Sequence, residues 1–91
     1  LKKIEIKELT ESDIDFALLK MKKRAMEKIS KKKSSQYPFV SLSEAVGKLT
    51  EEYGEACEEA HLQDVLCFES EILDVSFVCI RAIVAKKEKL L

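Results

Sequence analysis

Ile72-Leu73-Asp74-Val75-Ser76-Phe77-Val78-Cys79-Ile80-Arg81-Ala82-Ile83-Val84-Ala85 is the longest nearly apolar run in this chain, broken by Asp74 and Arg81. Its 14 residues fall short of the roughly 20 that a membrane-spanning helix requires. Set on a helical wheel the run is apolar almost all the way round, which marks it as the most buried element of a bundle. It predicts a helix over 65–88.

N-terminal to that helix, Leu62 to Asp64 make a short connection. Before them Leu42, Ala45, Val46, Leu49, Tyr53, Ala56, Cys57 and Ala60 recur at steps of three and four, which predicts a second helix over 42–61 with one apolar stripe. Ser41-Leu42-Ser43-Glu44 has capping-box spacing at its start, and Val40 with Ala45 stands at the staple positions. Pro38 cannot lie inside a helix, so 36–40 is a loop. A first helix over 11–32 follows from Thr10 and Asp13 as its start and from Ile14, Leu18, Met21, Ala25 and Ile29 as its stripe. Residues 1–9 alternate loosely and read as an extended arm.

The 91 residues are 46% apolar and 36% charged, enough for one domain with one core, 1–91. Two Gly and one Pro exclude a turn-rich β fold or a disulfide scaffold. The fold class is therefore all-α, an antiparallel bundle of about three main helices. Two helices cover an all-round apolar third poorly, so the core is expected to be completed by homo-oligomerisation, as a homodimer or homotetramer. Cys57, Cys67 and Cys79 lie among apolar residues with no CxxC spacing, and read as reduced core thiols of a cytoplasmic protein. No secretory signal pattern opens the chain and no membrane partner is expected. The net charge of −1 conceals a basic first half and an acidic second half, and the acidic half suits a cation.

At 100° per residue Glu52, Glu55 and Glu59 form a row bordering the apolar stripe of the second helix, while Glu51 and Glu58 point further away. Glu71 and Asp74 share a face of the third helix, whose other faces are also apolar. An ionised carboxylate in such surroundings costs several kcal/mol, on the order of 5 or more, unless it is paired, protonated or metal-bound. Two helices that each offer acids at i and i+3 can bring four carboxylates to one point. Oxygen-only ligation of that kind suits Mg2+ or Mn2+.

Glu51-Glu52-Tyr53-Gly54-Glu55 followed by Glu71-Ile72-Leu73-Asp74 resembles the EExxE…ExxD signature of the MazG-like all-α nucleoside triphosphate pyrophosphohydrolases, a superfamily that includes the all-α dUTPases and dCTP pyrophosphatases. Lys48-Leu49 before the first motif, Asp74-Val75 opening an apolar helix and Phe77 three residues after Asp74 extend the likeness, which covers 40–85. The resemblance implies Glu52, Glu55, Glu71 and Asp74 as Mg2+ ligands and catalytic residues, with Glu51 at the edge of the site. It implies a nucleoside triphosphate substrate, a water made acidic by the metal, attack at the α-phosphorus, and release of monophosphate and pyrophosphate. Lys48 would meet a phosphate oxygen or pair with Glu52 or Glu55, and Phe77 is the candidate for stacking on the base.

Arg81 stands where many members of that family carry Asn, so it either binds phosphate or neutralises an acid. The family's usual fourth helix is expected to be missing here or reduced to 86–91. Two rival readings arise from the residues. Residues 20–33 hold eight Lys/Arg and one Glu, a density that suits contact with nucleic acid or a protein, although no aromatic interleaving or nucleic-acid motif accompanies it. Glu58 and His61 have di-iron spacing, but one chain supplies a single His.

Overall fold

A computed structural model describes residues 5–31 and 37–91. It contains three helices, α1 (Glu11–Ser30), α2 (Leu42–His61) and α3 (Val65–Lys87), and no strand among the described residues. The all-α reading and the three helix positions hold. Residues 1–4 of the predicted arm, and 32–36 with the end of the predicted first helix and the start of the predicted loop, lie outside the described residues. Residues 5–10 are exposed and carry no regular structure.

Local chemistry accounts for the helix ends. Thr10 caps α1: its hydroxyl accepts from the Asp13 N–H at 3.2 Å, and the Asp13 carboxylate accepts from the Thr10 N–H at 2.9 Å. This reciprocal bonding satisfies backbone donors that a helix start otherwise leaves orphaned, and it holds the Asp13 carboxyl below its usual range. At α2 the box is half formed. Ser41 accepts from the Glu44 N–H at 3.1 Å, but the Glu44 carboxylate makes no return bond.

The α2–α3 turn closes through Gln63 N–H to Ala60 O and Asp64 N–H to Glu59 O, with Gln63 at φ 56°. These are the bonds of a Schellman ending, at a left-handed position that normally favours Gly. Asp64 then caps α3, accepting from the Cys67 N–H at 3.0 Å.

α2 and α3 form an antiparallel hairpin, and α1 packs on α3 without touching α2. The interior is small. Phe39, Ala45, Val78 and Ala85 form its centre, with Ala82 against them, and Phe39 is the largest side chain that is fully enclosed. Phe39 reaches that place from the 37–40 loop. Arg81 holds the loop down: its Nε donates to Tyr37 O at 2.8 Å and its guanidinium lies 3.9 Å from the centre of the Phe39 ring.

Two expectations need correction. The apolar stripe of α2 is not buried as a whole. Ala45 and Ala56 are buried, whereas Leu42, Val46, Leu49, Tyr53, Cys57 and Ala60 are exposed. Nor are the cysteines core thiols, since all three are exposed in the single chain. The cause is common to both. α1 packs on α3 and the 37–40 loop on Arg81, and none of the described residues covers the other side of the hairpin.

Candidate functional site

The site is built where the carboxylate row of α2 meets α3. One oxygen each from Glu52, Glu55 and Glu71 lies within 4.8 Å of the others. Glu52 is 7% exposed, because its Cα sits between Ala45 and Ala56 on the side of α2 that faces α3. Its Oε2 and the Glu71 Oε2 are enclosed without a hydrogen-bond partner. Buried carboxylate oxygens are normally satisfied, because leaving one bare costs about 1–3 kcal/mol or more. Two such oxygens beside a third acid make a cluster that calls for a proton or a cation.

The electrostatics point the same way. Burial pushes the Glu52 carboxyl above its usual range, Lys48 opposes that, and neighbouring Glu55 and Asp74 add to it. Glu55 is raised as well, mainly by a hydrogen bond shared with Glu71. Lys48 is the cation nearest on α2: its Nζ is 3.3 Å from Glu52 Oε1 and 3.5 Å from Glu51 Oε1. It therefore pairs within its own helix, with Glu52 through Oε1, and Glu51 stays at the exposed rim.

Asp74 is near enough to act on Glu52, yet a different partner holds it. Arg24 Nη1 lies 2.6 Å from Asp74 Oδ1 and also donates to Ser70 O at 2.8 Å, while Arg24 Nη2 donates to Ser70 Oγ at 3.1 Å. Lys28 Nζ is 3.2 Å from the same Asp74 oxygen. The structure thus brings three of the four expected ligands together and gives the fourth to two cations of α1.

Arg24 and Lys28 are the residues that sequence reasoning missed. They stand four apart and flank the buried Ala25, a placement on the margin of the α1 stripe that separates them from the rest of the basic run. Lys20, also of that run, pairs with Glu69 at 2.8 Å. Part of the segment considered for nucleic acid is therefore used inside the chain. Lys32 and Lys33 lie outside the described residues.

Arg81 faces the loop and not the acids. Burial lowers its pKa and Glu44 offsets part of that. It lines a cleft of about 690 Å3 with Tyr37, Phe39, Gly47, Lys48 and Glu51. Phe77 is 4% exposed and belongs to the packed interior of the chain.

A second group, Glu59, Asp64 and Cys67, also comes within 4.8 Å. Asp64 is occupied there as the α3 cap, and its hydrogen bond pushes the Cys67 thiol up. No helix is long and apolar enough to cross a membrane among the described residues. Set against family models, curated proteins and solved structures, the chain matches none of them.

Proposed function

We propose that this chain is a Mg2+-dependent nucleoside triphosphate pyrophosphohydrolase of the MazG-like type, acting as a homo-oligomer. One observation carries the reading. Glu52, Glu55 and Glu71 each bring a carboxylate oxygen within 4.8 Å of the others, and Glu52 and Glu71 each keep an enclosed oxygen without a hydrogen-bond partner. The donor set is all oxygen and anionic, which fits Mg2+ or Mn2+ and disfavours softer ions.

Glu52, Glu55 and Glu71 would hold the ion, and Asp74 is the fourth ligand once Arg24 and Lys28 let it go. When bound, the ion supplies charge neutralisation for a triphosphate and acidity for the attacking water. The chain's own groups do the rest. Lys48 and the paired Arg24 and Lys28 place positive charge on two sides of the acids, where a phosphate chain would need it. The loop held by Arg81 closes one wall of the cleft that leads from Lys48 to Tyr37. A nucleoside would lie against that wall.

Release of pyrophosphate from canonical and modified nucleoside triphosphates with Mg2+ tests the proposal. Glu55→Gln and Asp74→Asn are expected to abolish release while helicity by circular dichroism stays intact. Equal turnover in wild type and both variants would refute the assignment.

A further inference from the structure

α1 is joined to the rest of the described chain by one seam, against α3, and that seam is mainly ionic. Lys20 Nζ lies 2.8 Å from Glu69, Arg24 Nη1 lies 2.6 Å from Asp74, and Lys28 Nζ lies 3.2 Å from the same Asp74 oxygen. The three cations recur at every fourth residue, so they form one row along α1. Arg24 also reaches Ser70 through both of its terminal nitrogens. The apolar part of the seam is slight. Ala25 is the one buried residue of α1, whereas Ile14, Leu18 and Ile29 of its stripe are exposed.

Two of these ion pairs converge on Asp74, three residues along α3 from Glu71. Glu52 is buried beside Glu71 with its Oε2 bare, so the acid cluster holds an enclosed group whose demand is unmet. Asp74 adds to the negative field on Glu52, yet it does not join the three acids whose oxygens lie within 4.8 Å of one another. Charge accounts for where Asp74 goes. Among the described residues, Lys48, Arg24 and Lys28 are the cations paired with Glu52 and Asp74. With Glu55 and Glu71 also ionised, the acids outnumber those cations by one. A divalent ion on the acids reverses the balance, and positive charge becomes the surplus. Lys48 is tied to α2 with its partner, but Arg24 and Lys28 belong to a helix that little else retains.

We propose that α1 is a latch on the acid cluster: Arg24 and Lys28 occupy Asp74 until a divalent cation takes it, so that cation binding and α1 docking oppose one another. The latch rests on the cation site of the proposed function and assigns the regulation of that site to this chain's own first helix. Arg24 and Lys28 are positioning residues here, acting on the ion through Asp74. Linkage makes the opposition reciprocal. Whatever weakens the grip of α1 tightens the ion by the same factor, and the ion loosens α1.

MnCl2 without nucleotide is the probe, with free Mn2+ counted by its electron paramagnetic resonance signal at constant ionic strength. Arg24→Gln combined with Lys28→Gln is expected to bind Mn2+ at least about fivefold more tightly than wild type. Removing two positive charges itself favours a cation, so the same pair is also introduced beside Asp74→Asn. There it is expected to change the affinity less than about twofold, because no carboxylate remains for the latch to withhold. Amide hydrogen exchange of the unaltered protein gives a second readout. An undocked α1 is a marginal helix in water. Saturating Mn2+ is therefore expected to speed exchange in α1 at least about fivefold over NaCl of equal ionic strength, and not in α2 or α3.

Wild-type or weaker affinity in the double variant overturns the latch, as does an equal gain beside Asp74→Asn, which marks a field effect alone. Exchange in α1 that Mn2+ leaves unchanged or slows overturns it too. Should the double variant unfold, exchange in the unaltered protein decides alone. Mn2+ binding to none of the proteins overturns the latch and the cation site together. The expected Mn2+ pattern without pyrophosphate release upholds the latch and refutes only the chemistry.

Discussion

The two long faces of the α2–α3 hairpin are made from the same two helices and have opposite chemistry. One carries Glu52, Glu55, Glu71 and Asp74 and is reached by Arg24 and Lys28. The other carries Leu42, Val46, Tyr53, Ile72 and Ile83, and none of the described residues covers it. Burial within the chain falls on the polar face, where Glu52 is buried and Glu71 and Asp74 are half-buried, although Glu55 stays exposed. Burial in this molecule therefore serves to desolvate carboxylates as much as to hide apolar atoms. The chain keeps its largest apolar surface outside itself, where a single copy gains nothing from it.

The comparison breaks most readily at Phe39. Phe39→Ala removes the largest enclosed side chain from the core it shares with Ala45, Val78 and Ala85, and is expected to cost about 3–5 kcal/mol in urea unfolding. A cost near that of a surface change would show that the loop does not hold this core. Next in size is the cluster itself. Glu71→Gln should reduce pyrophosphate release at least about 100-fold, which corresponds to about 3 kcal/mol of transition-state stabilisation. It should also abolish any Mg2+-dependent rise in Tm. A Tm response equal to wild type would mean that the acids do not share an ion.

Glu52→Gln sharpens the contrast without metal. Removing one of three crowded carboxylates is expected to stabilise the metal-free protein by about 1–2 kcal/mol, less what the Lys48 pair contributes. Proton linkage gives the same test a second axis. Glu52 and Glu55 have raised folded-state pKa values, against an ordinary 4.5. Their contribution to stability is full below about pH 4.5 and is lost as pH rises through the raised values. The metal-free Tm should therefore rise on acidification from pH 7 toward about pH 5, and Glu52→Gln should flatten that rise. Asp13 and Asp64 act in the opposite sense and lower down. Their depressed pKa values contribute stability above 3.8 that is lost on further acidification.

The smallest effect belongs to the open face. Val46→Ala should change stability by no more than about 0.5 kcal/mol where the protein is dilute enough to be a single copy. At high concentration it should cost more, as a residue in a joint would. A cost independent of concentration would argue that the face is covered from within.

The legible part of the fold was local. Thr10 with Asp13, Ser41, and the positions of all three helices could be read because a helix and its caps are bonded within four residues. Glu52 and Glu55 on α2 and Glu71 on α3 were legible from helical spacing, and those three acids do meet. The partner of Asp74 was not legible. Arg24 is 50 residues away, and its reach depends on where α1 crosses α3. Arg81 could be recognised as a cation with work to do, but Tyr37 O as its target depends on how the loop folds back. The α2 stripe misled for a different reason. Leu42, Val46 and Tyr53 recur with the period of a buried face whether that face is closed by the same chain or by another.

By itself, then, the sequence determined that there are three helices, where they begin and end, and that acids on two of them lie beside apolar positions. These follow from backbone bonds and side-chain periodicity, which involve only neighbouring residues. Tertiary structure alone decided which cation answers Asp74, why Glu52 and Glu71 keep bare oxygens, and which apolar stripe stays in water. Those outcomes depend on the offset and rotation of one packed helix against another. A shift of a single residue there moves a side chain by about 100° around the helix.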